Sequence, residues 1–318
     1  MATIPFNVGA AAQGNMQLPN KDEQRSTALK LFTGEVMTAF RKRNIFLDLI
    51  TKKTIESGIS KQFIITGAAD ESDVQDFNRG DKIAIADGKN DEITINVGER
   101  VTYSRAVDKL DEKLAHYDER AELAFQAVEV ISTKIDKKIA TMLCDSAAAV
   151  AHSTAYAAVN MLAPVLVEAT GYTAATGVAA KGDALVEAIF ALGVARQEND
   201  LYTDPTLVCA PKTYAELVQS SKAIHGDFTT ANGGIDSGKF KQINGLPLRT
   251  SNHLPAQVAG KDLKILAFDA GAFGVVEALG MHTEADYVIE RLAEVMVTSI
   301  ALGYGYLNTG KIGWITAD

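Results

Sequence analysis

The sequence predicts a mixed α+β fold, on three observations. Residues 59–103 carry runs that alternate apolar and polar side chains, the two-residue period of strands. One long helical stripe runs from Val107 to Met142. From residue 183 to 277, helix and strand patterns alternate within a single compact α/β stretch.

In chain order, residues 1–20 hold Gly, Asn, Gln and two prolines without an apolar period, and read as an extended arm that only a partner would order. Ala28, Leu31, Phe32, Val36, Met37, Ala39 and Phe40 then recur at helical spacing. That helix ends near Arg41-Lys42-Arg43, where cations suit the C-terminal end of the dipole. Strands follow at Ile59–Ile65, Glu92–Val97 and Arg100–Tyr103. The tip between them carries Asp70, Glu71, Asp73, Asp76, Asp81, Asp87 and Asp91. Two strands with so long a polar tip predict a projecting hairpin, with little core of its own and in need of a neighbour.

The long stripe comprises Val107, Leu110, Leu114, Tyr117, Ala121, Ala124, Val128, Ile131 and Ile135, continued by Ile139 and Met142. It predicts a helix over 108–147, about 60 Å long at ~1.5 Å per residue. Ala121 and Ala124 in its seam favour a strut lying on a sheet over a coiled coil. Residues 148–180 are rich in Ala, Thr and Gly and predict loop with a short helix or strand. A helix over 183–198 presents Leu185, Ile189 and Leu192 on one face. Strands are expected at 206–210, 264–268 and 273–277, and Pro211 starts a helix to Val218. Residues 281–315 lean towards strand.

The chain has 318 residues, 47% hydrophobic and 22% charged, with a formal charge of −9. Such a balance opposes any grip on nucleic acid by charge, although not its enclosure. The two cysteines, Cys144 and Cys209, make no disulfide framework and point to a reducing compartment. No basic, apolar leader opens the sequence, and no apolar run approaches the ~20 residues that span a bilayer.

No catalytic, cofactor-binding or metal-ligating residue is assigned. His116, His152, His225, His253 and His282 lie at no metal-binding spacing, and neither cysteine sits in a CxxC pair. Residues 305–312 echo a phosphate-binding loop, but Ile312 stands where magnesium needs a hydroxyl, and too few residues follow for a helix. The acidic tip lacks the alternate carboxylates of a calcium loop. The Gly-bearing segment 229–236, near His225, Asp227 and Asp236, reads as a surface loop rather than an active-site lid.

Several segments, in this order, resemble the major capsid proteins of short-tailed bacteriophages of the enteric-phage and cyanophage type. Glu92–Val97 and then His116-Tyr117-Asp118, Arg120 and Glu122 are similar to that family's strand and helix start. Pro211 with Tyr214 resembles its helix motif. Gly245-Leu246-Pro247-Leu248 and Ser251-Asn252-His253-Leu254 resemble a later passage, with Leu248 where valine is usual. Phe273–Ala278 and Glu294–Gly305 fit its closing strands.

The resemblance implies the tailed-phage capsid fold of the Hong Kong 97 type. Residues 1–25 would be an N-terminal arm, 26–49 an N-terminal helix and 50–105 the extended hairpin loop. Residues 106–184 and 281–318 would form a peripheral domain with a spine helix over 108–147, and 185–280 an axial domain. It further implies hexamers and pentamers closing an icosahedral shell around double-stranded DNA without sequence-specific binding. A separate scaffolding protein, a portal at one vertex, assembly in the host cytoplasm and no membrane partner complete that expectation. Two other readings of the residues stay open: an α/β enzyme with a site assembled from distant residues, and a coiled-coil scaffold protein.

Overall fold

The computed structural model describes residues 45–67, 74, 76, 82, 88–108, 119–220, 242–291 and 293–317. The arm and most of the N-terminal helix (1–44), most of the acidic tip and the 229–236 segment lie outside them. Within the helix expected over 26–49, only α1 (Phe46–Leu49) is described, leading into β1 (Thr51–Thr54). Two compact units divide the chain. One comprises 43–101, 131–280 and 300–318, and the other 1–42, 102–130 and 281–299.

The first unit is built on a seven-stranded sheet. Its strands are β5 (Val165–Glu168), β6 (Thr206–Cys209), β7 (Gln242–Ile243), β8 (Leu246–Thr250), β9 (Gln257–Val258), β10 (Lys261–Phe268) and β13 (Ile312–Ala317), in the order β5-β13-β10-β6-β8-β7 with β9 on β10. β10 and β13 pair antiparallel, while β13 with β5 and β6 with β8 run parallel. The turn between β7 and β8 is Asn244-Gly245, both at positive φ (53° and 76°), the backbone a two-residue hairpin demands. Helix α4 (Val178–Glu198) covers the sheet, burying Leu185, Ile189 and Leu192 completely. At the expected proline, α5 (Pro211–Val218) begins and packs beside α4. Gly182 makes that approach possible, since a Cβ there would stand 2.2 Å from the Glu216 carbonyl.

One expectation changes here. The division that grouped 106–184 and 281–318 apart from 185–280 keeps β13 with β5 but separates it from β10, the strand on its other side. All six residues of β13 are buried, so they need a neighbouring strand on each side.

The hairpin forms as expected, with β2 (Ser60–Thr66) and β3 (Asn90–Asn96) paired antiparallel in continuous register from Ser60↔Asn96 to Thr66↔Asn90. Its described strands are nevertheless not without a core. Phe63, Ile93 and Ile95 are buried with Val276, and Tyr156, Met161 and Leu307 pack around them. The seat is cut by glycine: a Cβ at Gly305 would lie 2.8 Å from the Ile95 side chain, and one at Gly303 would lie 2.5 Å from the Asn96 carbonyl. The alternation reads which face is buried but not against what, so the neighbour turned out to be the chain itself.

Helix α2 spans Glu119–Leu143, shorter than 108–147. Upstream, β4 (Glu99–Asp108) holds Asp108 in a strand, burying Val101 and Val107. Downstream, Asp145 stops α2 by capping α3 (Ser146–Ala155), its side chain accepting from the Ala148 amide at 3.0 Å. The stripe also rotates: Leu123, Ala127, Ile131 and Ile135 are buried, whereas Val128 and Val130 are exposed. The side chains of Ala121 and Ala124 lie outside the described residues. Tyr306 donates its hydroxyl to the Met142 carbonyl, and the Trp314 indole N–H donates to the Leu143 carbonyl at 3.0 Å, so two aromatics satisfy carbonyls at the end of α2.

The C-terminal stretch is strand as expected: β11 (Phe273–Val288), β12 (Ala293–Tyr306) and β13. β1 runs parallel to β11, Thr51↔Gly274 to Thr54↔Glu277, in a four-stranded sheet ordered β1-β11-β12-β4. In the second unit, Thr283 and Thr298 on neighbouring strands share a hydroxyl–hydroxyl bond of 2.8 Å.

Candidate assembly surfaces

Three buried polar junctions hold the first unit in shape. Asp136, on α2 and fully buried, accepts the backbone N–H of Ile45 (3.2 Å) and Phe46 (2.8 Å) on Oδ1, while Oδ2 meets His253 Nδ1 at 2.6 Å. The His253 amide in turn donates to Ser251 Oγ at 3.1 Å. Arg196, at the end of α4, places Nη2 on both oxygens of Asp269 (3.2 and 3.0 Å) and Nη1 on the Lys311 carbonyl (3.3 Å). Tyr172 donates to buried Glu216 at 2.8 Å, with Lys181 and Lys264 over its ring. A buried carboxylate is tolerable only with partners: Asp136 and Asp269 meet His253 and Arg196, and Glu216 accepts the Tyr172 hydroxyl. None was singled out from sequence as a junction. The one hint was His253, inside a motif the resemblance had marked.

The residues weighed for chemistry are dispersed. Cys144 and Cys209 are buried free thiols, and desolvation pushes each up to about 12, so neither supplies a thiolate near neutral pH. The His152 ring lies tilted against those of Tyr156 and Tyr306 (37° and 52°), and burial holds its pKa below the ordinary value. His282 pairs with Glu284 at 3.3 Å. His116 and His225 lie outside the described residues. Residues 305–312 form the end of β12, a single tight turn (Thr309–Lys311) and the start of β13, with no helix to face a phosphate. Among the described residues no three His, Cys, Asp or Glu gather to hold a metal, and no helix is long and apolar enough to cross a membrane.

What the molecule does present is apolar surface. Ile64 of β2 is 81% exposed, on the side opposite Phe63, and Ile59, just before the strand, is 77% exposed. Phe190 and Val194 stand one turn apart on the outer side of α4. In the second unit, Val128, Val130 and Ile289 face solvent. Exposed apolar side chains spread over separate elements suit a subunit covered by partners on several sides. In the first unit a shallow cavity of about 330 Å³ is lined by Glu99, Arg100, Lys134, Lys138 and Tyr304, with Lys138 paired to Glu99.

Comparison with known proteins points the same way. Residues 78–267 match the Gp10A-like family, described as major capsid protein. The fold is similar to the capsid structure of cyanophage P-SCSP1u, with TM-score 0.71 and 25% identity over 90% of this chain and 92% of that one. It is also similar to the mature capsid of bacteriophage PhiM1 (TM-score 0.69, 15% identity, 89% and 90% covered). Mycobacterium phage Che8 supplies a third likeness in fold (TM-score 0.67, 15% identity, 88% and 94% covered). No curated protein matches the sequence.

Proposed function

This chain belongs to the Gp10A-like major capsid protein family, and from that premise we propose how it builds the virion shell. Copies meet as hexamers and pentamers around a separate scaffolding protein, leave one vertex to a portal, and close on double-stranded DNA. The lining does not grip that DNA by sequence, in keeping with the charge of −9. The role is structural and calls for no catalytic residue, cofactor or metal.

Within the subunit, residues 1–25 serve as the arm and 50–105 as the extended loop. The axial region is 185–280 joined by β13, and the peripheral region takes α2 with β12 and the part of β11 beyond residue 280. The observation that carries this reading is the exposure of Ile59 and Ile64 on the hairpin. Its inner side already has a core, so its outer side is free to be covered by a second copy.

Electron microscopy of the purified protein, alone and with scaffold, tests the proposal. Closed shells, or hexamers and pentamers that close when scaffold is added, are the expected result. A stable monomer or dimer under both conditions overturns it and returns attention to an enzyme or a coiled-coil protein.

A further inference from the structure

We infer that Asp136 is the anchor that fixes where the N-terminal arm leaves the subunit, and that His253 holds the anchor in place. The inference rests on the reading of residues 1–25 as an arm that engages a neighbour.

Helix α1 begins with Ile45 at its cap, a residue with no side-chain oxygen, and no cap bond comes from its own segment. Its first amides therefore need an acceptor from elsewhere. Asp136, about ninety residues on, provides it: Oδ1 takes the N–H of both Ile45 and Phe46. A carboxylate accepting two amides is a stronger tie than a neutral cap, and it sits where no water competes. Free rotation of the carboxylate would weaken both bonds. His253 Nδ1 on Oδ2 opposes that rotation, and the Ser251 hydroxyl fixes the backbone of His253. Phe46 adds an apolar plug, fully buried and stacked on Phe268 at 5.9 Å between centroids.

Forty-four residues precede Ile45, ending in Arg41-Lys42-Arg43-Asn44. Followed along the chain, the first described residues are Ile45 and Phe46, and it is their amides that Asp136 holds. The anchor thus positions the arm for assembly, and it does so through backbone atoms, which leaves little trace in the residues it holds.

Trypsin on the full-length subunit reads the anchor directly. Cutting after Arg43 requires Asn44, Ile45 and Phe46 to enter the protease extended, so the Ile45 and Phe46 amides must first leave Asp136. Asp136→Ala is expected to speed this cut about tenfold or more, the cut after Lys212 in α5 staying at its wild-type rate. Closed shells fall in yield alongside. Asp136→Asn keeps an oxygen for both amides and is expected to restore the slow cut. An unchanged rate after Arg43 in the Ala variant overturns the inference. So does equal acceleration after Lys212, which marks general loosening, or an Asn variant that behaves like Ala.

If the Ala variant is recovered only as aggregate, His253→Gln decides. Faster cutting after Arg43 alone supports the anchor, and wild-type rates overturn it. Failure of the wild-type chain to form shells would count against the capsid proposal and leave these cutting rates just as informative.

Discussion

Arg196 is 2% exposed and faces an Asp269 side chain that is 10% exposed. Truncation to Ala leaves that carboxylate buried without its cation, and about 3–5 kcal/mol of stability is expected to go with it, measurable by urea unfolding. His152 carries a pH dependence. Burial holds its folded-state value below the unfolded one, so the unfolded chain takes up the proton first. Its contribution is intact above the unfolded value, near 6.5, and declines as pH falls through it. His152→Gln is therefore expected to flatten the loss of Tm as pH falls below about 6.5. An equally steep decline in the variant would assign the slope to other groups. The thiols give a further check: with both buried and raised to about 12, maleimide at neutral pH is expected to label neither until denaturant is added.

Legibility differed between elements for physical reasons. The hairpin strands, α4 and α5 were readable because each buries one side at a regular period, as Leu185, Ile189 and Leu192 do, and β10 because its short apolar run 265–268 is buried on both sides. The start of α2 was not, because Val101 and Val107 in β4 lie six residues apart, and Val107 is also three from Leu110 and so suits a helical stripe. Its end was hidden as well, since Asp145 acts as a stop only by capping α3. Most opaque were the polar junctions. Asp136 adjoins Ile135 in the stripe, and nothing local says that its partners are an amide some ninety residues back and a histidine over a hundred residues on. The glycine seat is testable at this scale. Gly305→Val would drive carbon into the Ile95 side chain, which is expected to loosen the hairpin and to speed hydrogen exchange across Phe63–Ile65 while β10 keeps its protection. Unchanged exchange in both would show that the seat does not hold the hairpin.

For the whole molecule, the class and the family were legible in the order of the segments, whereas the topology was only partly so. Placing β13 between β5 and β10 is a long-range decision, and its own six residues read only as a buried strand. The sign of the charge carries a prediction here. At −9, the purified subunit is expected to show no retention of duplex DNA at physiological salt, and binding that survives there would contradict an inert lining.

The two aromatics at the end of α2 bear on timing during synthesis. Leu143 and Met142 leave the ribosome some 160 residues before Tyr306 and Trp314, the side chains that satisfy their carbonyls. A nascent or prematurely terminated chain lacking residues 306–317 thus has an unfinished helix end and exposed edges on both β5 and β10. Shell building tolerates no defective tiles, and here the soundness of the subunit is checked by its own fold: a chain becomes a sound building block only after β13 has been translated.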